Sequence, residues 1–339
     1  MGPTYYIGNP DEDNCSRDPL PSAPEKPRGV ASRYYASKEL AAAANVAISL
    51  GQPLLLTGEP GCGKTQFAEA LADELNLNLH RFNTKSTSSA RDLLYTYDAL
   101  GHFRAIQLGS TGAMALSPGN EDSTSINRNA TTSIDAAQFI SLTGLGAAIV
   151  DSNPSRPFVD ENQSPSRSVV LIDEIDKAPR DFPNDLLHEI DRRSFSVPEL
   201  GNRTYGADNA LAPIVIITSN SEKHLPDAFL RRCIYFNITF PDSHAELNRI
   251  VFAHLGERIS KESALVASVL DYFKLVRKEG LERNPGLAEL IQFIQALLMH
   301  GADPKTDLYQ QHDSARYALG ALLKNSSDLS RGEALLKKQ

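Results

Sequence analysis

The sequence predicts an α/β protein, a parallel sheet flanked by helices, followed from residue 241 by an all-helical region. Three apolar segments, at 54–56, 169–172 and 214–217, have the aliphatic and β-branched character of strands buried on both faces. Helical periodicity occurs between these segments and dominates from residue 241 onward. Alternating strands and helices favour a parallel sheet, and 339 residues leave room for a second domain.

Composition and charge limit the classes of function. Hydrophobic residues make up 41% of the chain, enough for a substantial core, yet no apolar run reaches the roughly 18 residues of a membrane-spanning helix. The net charge of -8 disfavours a strong, sequence-independent hold on nucleic acid. The three cysteines are widely separated, and residues 1–15 lack the basic and apolar parts of a signal peptide. We therefore expect a globular, cytoplasmic protein that binds no membrane and is unlike nucleic-acid-binding proteins.

The N-terminal residues 1–32 predict a flexible, proline-rich lead-in segment. Apolar side chains are few there, so the segment can bury little surface. A helix is expected at 38–50, where alanines dominate, apolar residues recur in phase and Ser37 stands at the N-cap position. Gly51 then ends that helix just before the first strand.

Residues 53–75 predict a strand, a glycine-rich loop and a helix. The spacing of glycine, four residues, glycine, lysine and threonine is that of a phosphate-binding loop, in which backbone N–H groups and a helix N-terminus surround an anion. The flanking strand and helix disfavour the alternative, a tight turn without nucleotide. Lys64 is expected to reach the β- and γ-phosphates, and the Thr65 hydroxyl to bind Mg²⁺. The predicted nucleotide-binding residues here are Gly58, Glu59, Pro60, Gly61, Cys62, Gly63, Lys64, Thr65 and Gln66.

The next part of the chain predicts one more strand and an insertion. Residues 79–84 suit a short strand with Asn83 at its polar end, and a helix is expected at 89–100. Glycine, serine, threonine and asparagine then replace periodic apolar residues, so we interpret residues 101–132 as an insertion with a mobile tip. The periodic pattern resumes at 134–150.

Residues 169–174 predict the second half of a site. They form a buried strand that ends in two carboxylates, and functional groups of a parallel sheet gather at the carboxyl ends of its strands. Asp173 and Glu174 are therefore expected beside the phosphate loop. Asp173 can help to hold Mg²⁺, and Glu174 can orient and deprotonate an attacking water. Solvated surface carboxylates are the alternative.

Three further elements follow this strand. Residues 181–193 form an amphipathic helical pattern, and residues 195–213 contain short extended pieces broken by glycine and proline, which suits a hairpin. The strand at 214–217 leads into Asn220, whose side-chain amide can hydrogen-bond a γ-phosphate or the attacking water. A role for Asn220 as a turn former is the alternative.

Arg231 and Arg232 stand at the end of a predicted helix. Arginine suits the charge that develops on a transferring phosphoryl group and can be donated by a neighbouring subunit, although a solvated basic pair is the alternative. An extended piece at 234–240 precedes helical patterns only. These patterns lie at 243–255, 262–278, 287–300 and 315–324. The domains expected are therefore a nucleotide-binding core at 33–240 and a helical domain with the C-terminal tail at 241–339.

The ordered motifs resemble those of the AAA+ ATPases, and within them the MoxR group. The resemblance covers most of residues 37–240. Its matching segments are GEPGCGKT (58–65), VVLIDEIDKAP (169–179), DFPNDLL (181–187), FSVPEL (195–200), ITSN (217–220) and LPDAFLRRC (225–233). The DEIDKAP and VPEL pieces are far more specific than a phosphate loop alone.

The resemblance implies a P-loop AAA+ core with a helical lid, and it implies roles for the site residues. Residues 58–65 correspond to Walker A, Asp173 and Glu174 to Walker B, and Asn220 to sensor 1. ATP and Mg²⁺ are the implied cofactors, with the metal held by Thr65 and Asp173.

Three other assignments follow from the resemblance alone. Arg231 and Arg232 fall where such families carry arginine-finger residues, and the resemblance does not distinguish between them. Asn83 sits where many relatives have a polar residue that restrains the catalytic glutamate. Relatives often carry a sensor 2 arginine at the start of the third lid helix, and Arg283 stands near that place but at a different offset.

The implied activity is hydrolysis of ATP to ADP and phosphate in a homo-hexameric ring that remodels a client protein. The clients or partners of this group are often von Willebrand factor A domain proteins. The resemblance also implies an insertion at about 98–133 and a hairpin at 195–213, which face the central pore of related rings. The main alternative is a nucleotide-dependent scaffold or signalling switch with little turnover. A small GTPase or nucleotide kinase is a further alternative, although no guanine-reading Asn-Lys-x-Asp motif occurs, and the acidic balance disfavours a nucleic-acid motor.

Overall fold

The structure, a computed structural model, describes residues 34–114, 135–153, 155, 164–220, 225–256, 259–260 and 263–337. The predicted flexible segment 1–32 lies outside these residues. Residues 115–133 of the predicted insertion, which include most of its predicted mobile tip, also lie outside them.

The described strands form one five-stranded sheet and two small two-stranded ones. They are β1 Leu54–Gly58, β2 Asn78–Asn83, β3 Tyr95–Tyr97, β4 Ile140–Leu142, β5 Ser168–Asp173, β6 Ser194–Val197, β7 Arg203–Gly206, β8 Ile214–Thr218 and β9 Ile234–Ile238. The large sheet is parallel, with the strand order β2-β5-β8-β1-β9, as the sequence predicts. Strands β5 and β8 are buried along almost their whole length, which explains their continuous apolar sequence.

The helices flank the large sheet and make up the C-terminal region. They are α1 Lys38–Leu50, α2 Lys64–Glu74, α3 Ala99–Met114, α4 Gly144–Ser152, α5 Phe182–Asp185, α6 Leu187–Arg192, α7 Asp227–Leu230, α8 His244–Leu255, α9 Ala264–Lys278, α10 Leu287–Met299, α11 His312–Leu322 and α12 Ser326–Lys337. The expected helix at 38–50 is confirmed, and the Ser37 hydroxyl accepts a hydrogen bond from the Leu40 N–H at 3.1 Å.

The prediction of a helix at 89–100 is wrong. A 3₁₀ turn spans Ala90–Leu93, and strand β3 then pairs antiparallel with β4 before α3 begins at Ala99. Leu93, Leu94 and Tyr95 are buried, so packing against a distant strand overrides the local helical pattern. Helix α3 also extends through residues 101–114, where the sequence predicts the loss of regular structure.

Two other stretches differ from the prediction in detail. The expected helix at 181–193 consists of the two short helices α5 and α6 with Leu186 between them. Residues 134–150 contain a 3₁₀ turn and strand β4 before helix α4. The hairpin expected within 195–213 is confirmed, since β6 and β7 pair antiparallel.

The C-terminal helical patterns are confirmed as α8 to α11, and α12 adds a helix that the sequence analysis did not predict. Helix α12 has a polar sequence whose buried positions include a charged residue, Asp328. That composition explains why apolar periodicity alone does not reveal it.

Contacts divide the chain into two compact units. The loop unit comprises the described residues of Met1–Ala42, Leu56–Leu75 and Phe236–Gln339, and it has a core of leucine, valine and aromatic side chains from α8 to α12. The strand-end unit comprises Ala43–Leu55 and the described residues of Asn76–Tyr235, with a core around β5 and β8. In the described part of the chain, no helix has the length and apolar character needed to cross a membrane.

Candidate functional site

The phosphate loop has backbone conformations that its glycines make possible. Gly61 and Gly63 have φ angles of 77° and 96°, in the left-handed region that other residues rarely adopt. A Cβ on Gly63 would lie 3.1 Å from the ring of Tyr34, so glycine is also required there by the close approach of that ring. Helix α2 begins immediately after Gly63, which leaves the first N–H groups of the helix free of intrahelical partners.

Lys64 points into this loop. Its side chain is almost completely buried, and its Nζ donates hydrogen bonds to the carbonyl oxygens of Gly58 at 2.9 Å and Glu59 at 3.0 Å. These two hydrogen bonds satisfy the buried amino group and hold it within the loop. Cys62 is buried beside it, and burial raises the pKa of the Cys62 thiol. That thiol is therefore a poorer nucleophile than an exposed one.

The remaining residues of the loop surround this ammonium. Thr65 follows Lys64 in the first turn of α2 and is partly buried, whereas Gln66 is exposed. Glu59, Pro60 and Gly61 form the exposed tip of the loop. The loop unit thus places a helix N-terminus, the Thr65 hydroxyl and the Lys64 ammonium at a single turn, which suits the binding of a phosphate.

Arg283 lies in the same unit, in the connection before α10. Its side chain is exposed, and its backbone N–H donates to the carboxylate of the fully buried Asp328 at 3.2 Å. The Glu282 N–H donates to the other oxygen of that carboxylate at 3.1 Å. Asp328 therefore fixes the backbone of this connection, while the sensor 2 role of Arg283 stays a prediction.

Asp173 and Glu174 end strand β5 in the strand-end unit, and Thr218 at the end of β8 links them. The Thr218 hydroxyl donates to Asp173 Oδ1 at 2.5 Å and accepts a hydrogen bond from the Glu174 N–H at 2.8 Å. Thr218 is fully buried, so both hydrogen bonds are shielded from water. The carboxylate of Glu174 is partly exposed and forms an ion pair with Lys177.

Asn220 and Asn83 lie close to these carboxylates. The Asn220 N–H donates to Asp176 Oδ1 at 3.0 Å, which fixes the backbone after β8. Asn83 is the residue that pairs with Asp173 in the parallel register of β2 and β5, and it is exposed. The structure thus brings Asn83, Asp173, Glu174 and Asn220 to one edge of the sheet, as the sequence analysis expects for strand ends.

The two arginines after α7 have different surroundings. The Arg232 Nε donates to Asp191 Oδ2 at 2.8 Å, and a second guanidinium nitrogen donates to the Ala228 carbonyl at 2.9 Å. Arg231 is exposed, and its side chain makes no hydrogen bond or ion pair with the part of the chain that the structure describes. Arg232 is therefore paired within its own chain, whereas the Arg231 side chain has no such pair among the described residues.

Sequence reasoning missed Thr218, Asp176 and Lys177 as supporting residues. Each stands within a quoted motif, ITSN or DEIDKAP, but its role depends on the neighbouring strand or turn. The motif letters alone do not show which side chains of these segments face one another.

The comparisons with known proteins concern family and fold. The profile of the AAA domain (dynein-related subfamily) matches residues 53–233. Two solved structures of RuvB from Thermotoga maritima are similar in fold. The Holliday junction branch migration motor is 15% identical over 84% of this chain and 67% of that chain, with a TM-score of 0.41. A point mutant of RuvB is 16% identical over 89% of this chain and 69% of that chain, with a TM-score of 0.43. No curated protein matches the chain in sequence.

Proposed function

The chain belongs to the AAA domain family (dynein-related subfamily), and from that membership we propose that it binds ATP with Mg²⁺ and hydrolyses it to ADP and phosphate. The observation that carries the proposal is the buried Lys64 ammonium, held at the centre of a glycine-rich loop where a helix begins. Structural turns have no need of a desolvated cation, but a site for a polyphosphate does.

The residues of the loop have the binding role. Backbone N–H groups of the loop and of the start of α2 surround the phosphates, and Lys64 exchanges its carbonyl partners for the β- and γ-phosphate oxygens. Gln66 follows at the surface of the same turn.

The donor set fits Mg²⁺. The proposed metal ligands, the Thr65 hydroxyl and the Asp173 carboxylate, would supply the hard oxygen atoms that this ion prefers. A site with one carboxylate, one hydroxyl and substrate phosphates is typical of Mg²⁺ and not of a metal held by protein alone. When bound, Mg²⁺ neutralises charge that develops on the phosphate oxygens.

The strand ends have the catalytic role. Glu174 accepts a proton from the attacking water, and the Asn220 side chain orients that water or the γ-phosphate. Asn83 restrains Glu174 until the nucleotide is in place. Thr218 supports this group because it holds Asp173 and the Glu174 backbone with one hydroxyl.

We assign the arginine finger to Arg231. Its guanidinium is exposed and lacks partners among the described residues, whereas Arg232 is bound to Asp191. A finger given to a neighbouring subunit must leave its own surface, and Arg231 can do so without breaking an ion pair.

Within the AAA family, we propose that the protein is of the MoxR type. It would form a homo-hexameric ring in the cytoplasm and remodel a client protein, with a von Willebrand factor A domain protein as partner. The motifs DEIDKAP and VPEL support it, together with the hairpin of β6 and β7 at the expected place. The domain scheme of a core at 33–240 and a lid at 241–339 belongs to the same proposal, with Arg283 as its sensor 2 candidate.

One contact favours the alternative, a nucleotide-dependent scaffold with little turnover. The carboxylate of Glu174 is paired with Lys177, so an attacking water would have to compete with that ammonium for the carboxylate oxygen. Turnover of the unmodified protein separates the two functions, because a scaffold binds ATP without producing phosphate.

The test uses the full chain with MgATP. Lys64→Ala removes the cation that faces the phosphates, so we expect both the affinity for a fluorescent ATP analogue and phosphate release to fall by at least about tenfold. Lys38→Ala is the matched control, since Lys38 is an exposed lysine at the start of α1. Equal binding by Lys64→Ala and the unmodified protein would exclude the phosphate loop as the nucleotide site.

A further inference from the structure

Arg277 joins the phosphate loop to the helical region of the loop unit. It lies in the last turn of α9, and one of its terminal nitrogens donates to Glu59 Oε2 at 2.7 Å. The other donates to the carbonyl oxygen of Pro285 at 2.6 Å, just before α10. The guanidinium carbon also lies 3.7 Å from the ring centroid of Phe240. We call Arg277, Glu59, Phe240 and the Pro285 carbonyl the Arg277 clamp.

In the Arg277 clamp, the arginine is mostly buried and makes several contacts at once, unlike an isolated surface ion pair. The Arg277 side chain is only 16% exposed, so most of its contact with water has been replaced by protein. A planar guanidinium can donate in two directions and stack on a ring at the same time, which a lysine ammonium cannot do. Each of the three partners comes from a different segment of the loop unit.

The phosphate loop and the start of α10 also approach each other closely. A Cβ on Gly286 would lie 3.0 Å from the Pro60 carbonyl oxygen and 3.4 Å from the Gly61 Cα. Glycine at position 286 therefore allows the backbone before α10 to contact the tip of the loop. Arg277 donates to Glu59 on one side of this contact and to Pro285 on the other, so it fixes both segments.

The negative charge of Glu59 disfavours the binding of phosphates by its own loop. The Glu59 carboxylate belongs to the loop and is half exposed, with 53% of its side-chain surface accessible. A bound triphosphate adds several negative charges close to it, and like charges repel unless a cation compensates one of them. Arg277 is the cation that pairs with this carboxylate.

We propose that Arg277 is a positioning residue for nucleotide binding, which neutralises Glu59 and fixes the loop tip against the start of α10 so that the loop accepts a polyphosphate. The inference rests on the proposed binding of ATP at this loop. It adds a residue outside the motifs of the site, and it predicts that the penalty for losing Arg277 comes from the charge of Glu59.

The experiment is a two-residue cycle in the full chain. The dissociation constants of fluorescent ATP and AMP analogues are measured for the unmodified protein, Arg277→Met, Glu59→Gln and the double variant. Methionine keeps an unbranched side chain for packing on Phe240 but removes the charge and the donors. Lys278→Met is the matched control, because it removes a cation from the next position of α9 where the side chain is exposed.

Arg277→Met is expected to weaken ATP binding by about tenfold and AMP binding less, since repulsion grows with the number of phosphate charges. Glu59→Gln added to Arg277→Met is expected to restore most of the ATP affinity, and Lys278→Met to leave it unchanged. A purely structural role would give equal losses for ATP and AMP and no restoration in the double variant, and either result would overturn the inference.

Two further measurements keep the inference testable if Arg277→Met does not fold. Glu59→Gln alone removes a repelling charge and leaves Arg277 near the phosphates, so ATP should bind more tightly than to the unmodified protein. Arg277→Lys keeps the cation but not both hydrogen bonds and the ring stacking, so ATP binding should weaken by less than about tenfold, because the charge of Glu59 is still compensated. Weaker ATP binding by Glu59→Gln, or a tenfold loss in Arg277→Lys, would overturn the inference.

The outcome also separates this inference from the proposed function. If the unmodified protein binds no ATP, both fail. If it binds ATP and loses that binding in Lys64→Ala but not in Arg277→Met, the proposed function stands and the role of Arg277 is excluded.

Discussion

Glu174 has a backbone conformation that residues other than glycine seldom adopt. Its φ of 56° and ψ of 52° lie in the left-handed region, and three contacts hold it there. Its N–H donates to Thr218, its carbonyl accepts from the Lys177 N–H, and its carboxylate pairs with the Lys177 ammonium. A strained conformation with this many restraints fixes the direction in which the side chain leaves the strand.

The first residue-scale prediction concerns the acid itself. Glu174→Gln keeps the size of the side chain and the backbone contacts but removes the proton acceptor. We expect unchanged affinity for ATP and a fall in phosphate release of about 10²- to 10⁴-fold. Asp185→Asn, an exposed carboxylate of the same unit, serves as the control and should hydrolyse ATP normally. Parental turnover in Glu174→Gln would show that another group activates the water.

The second residue-scale prediction concerns Thr218. Thr218→Val keeps the shape but removes the hydroxyl that binds both Asp173 and the Glu174 N–H, which leaves two polar groups without this partner. We expect a loss of about 1–3 kcal/mol in the free energy of unfolding, because unpaired buried polar groups are costly. Asp173 is then less well oriented, so half-maximal ATP hydrolysis should need more Mg²⁺. Thr218→Ser retains the hydroxyl and should behave nearly as the parent, and an unaltered Mg²⁺ requirement in Thr218→Val would contradict the supporting role.

At the scale of elements, the hairpin of β6 and β7 is anchored to strand β3. The fully buried Tyr95 stacks on Phe195 with ring centroids 6.2 Å apart, and Phe195 in turn packs against Tyr205. The Tyr95 hydroxyl donates to Glu199 Oε2 at 2.8 Å, and Arg91 approaches the other oxygen of that carboxylate. Glu199 comes from the VPEL motif, so this motif connects the hairpin to a strand about a hundred residues earlier.

The element-scale prediction is a pH-dependent loss of stability. Burial and the Glu199 hydrogen bond raise the pKa of Tyr95 to about 12. Above the usual tyrosine pKa of about 10, the unfolded chain loses this proton while the folded chain retains it, so raising the pH favours unfolding. Tyr95→Phe should be less stable than the parent by about 1 kcal/mol at pH 7. That difference should shrink as the pH rises from 10 towards 12.

Urea unfolding followed by circular dichroism measures both free energies across this pH range. Tyr97→Phe is a useful control, because Tyr97 lies in the same strand but its hydroxyl forms a hydrogen bond with His102 and not with a carboxylate. A difference between Tyr95→Phe and the parent that stays constant from pH 7 to 12 would show that Tyr95 does not titrate in this window.

The elements that could be predicted from sequence are those whose local pattern agrees with their final environment. Strands β5 and β8 are continuous apolar segments because both faces are covered, and the phosphate loop has a spacing that few other structures require. The prediction of a helix at 89–100 failed because residues 93–95 pack in a core and because β3 pairs with β4, which is distant in sequence. Helix propensity does not contain such a long-range pairing.

In the candidate site, too, residues that act on a distant segment of the chain could not be predicted from the sequence. Loop and strand-end residues could be proposed from motifs, since each motif is continuous in the chain. Arg277 and Asp328 could not, because each acts on a segment that is distant in sequence, Glu59 in one case and the connection before α10 in the other. A single sequence gives no sign of these pairs.

At the scale of the whole molecule, we expect the proposed ATPase to depend on assembly. AAA domain proteins commonly form rings, and Arg231 has no partner among the described residues of its own chain. An arginine donated by a neighbour contributes about 10³ to 10⁵ in rate. We therefore expect ATP hydrolysis per subunit to rise with protein concentration until assembly is complete.

The last prediction tests the donation directly by mixing variants. Arg231→Ala should bind ATP but hydrolyse it poorly, whereas Arg232→Ala should keep most of its activity, because an exposed ion pair with Asp191 contributes only about 0.2–1 kcal/mol to stability. Arg231→Ala mixed with Glu174→Gln creates interfaces in which an intact Glu174 faces an intact Arg231. Random exchange in a closed ring gives roughly a quarter of interfaces this composition, so the mixture should regain up to about that fraction of parental turnover. Full activity of Arg231→Ala at dilutions where the protein is monomeric would exclude a finger in trans. If instead Arg231→Ala were active, and Arg232→Ala were inactive but regained turnover when mixed with Glu174→Gln, the finger would be Arg232.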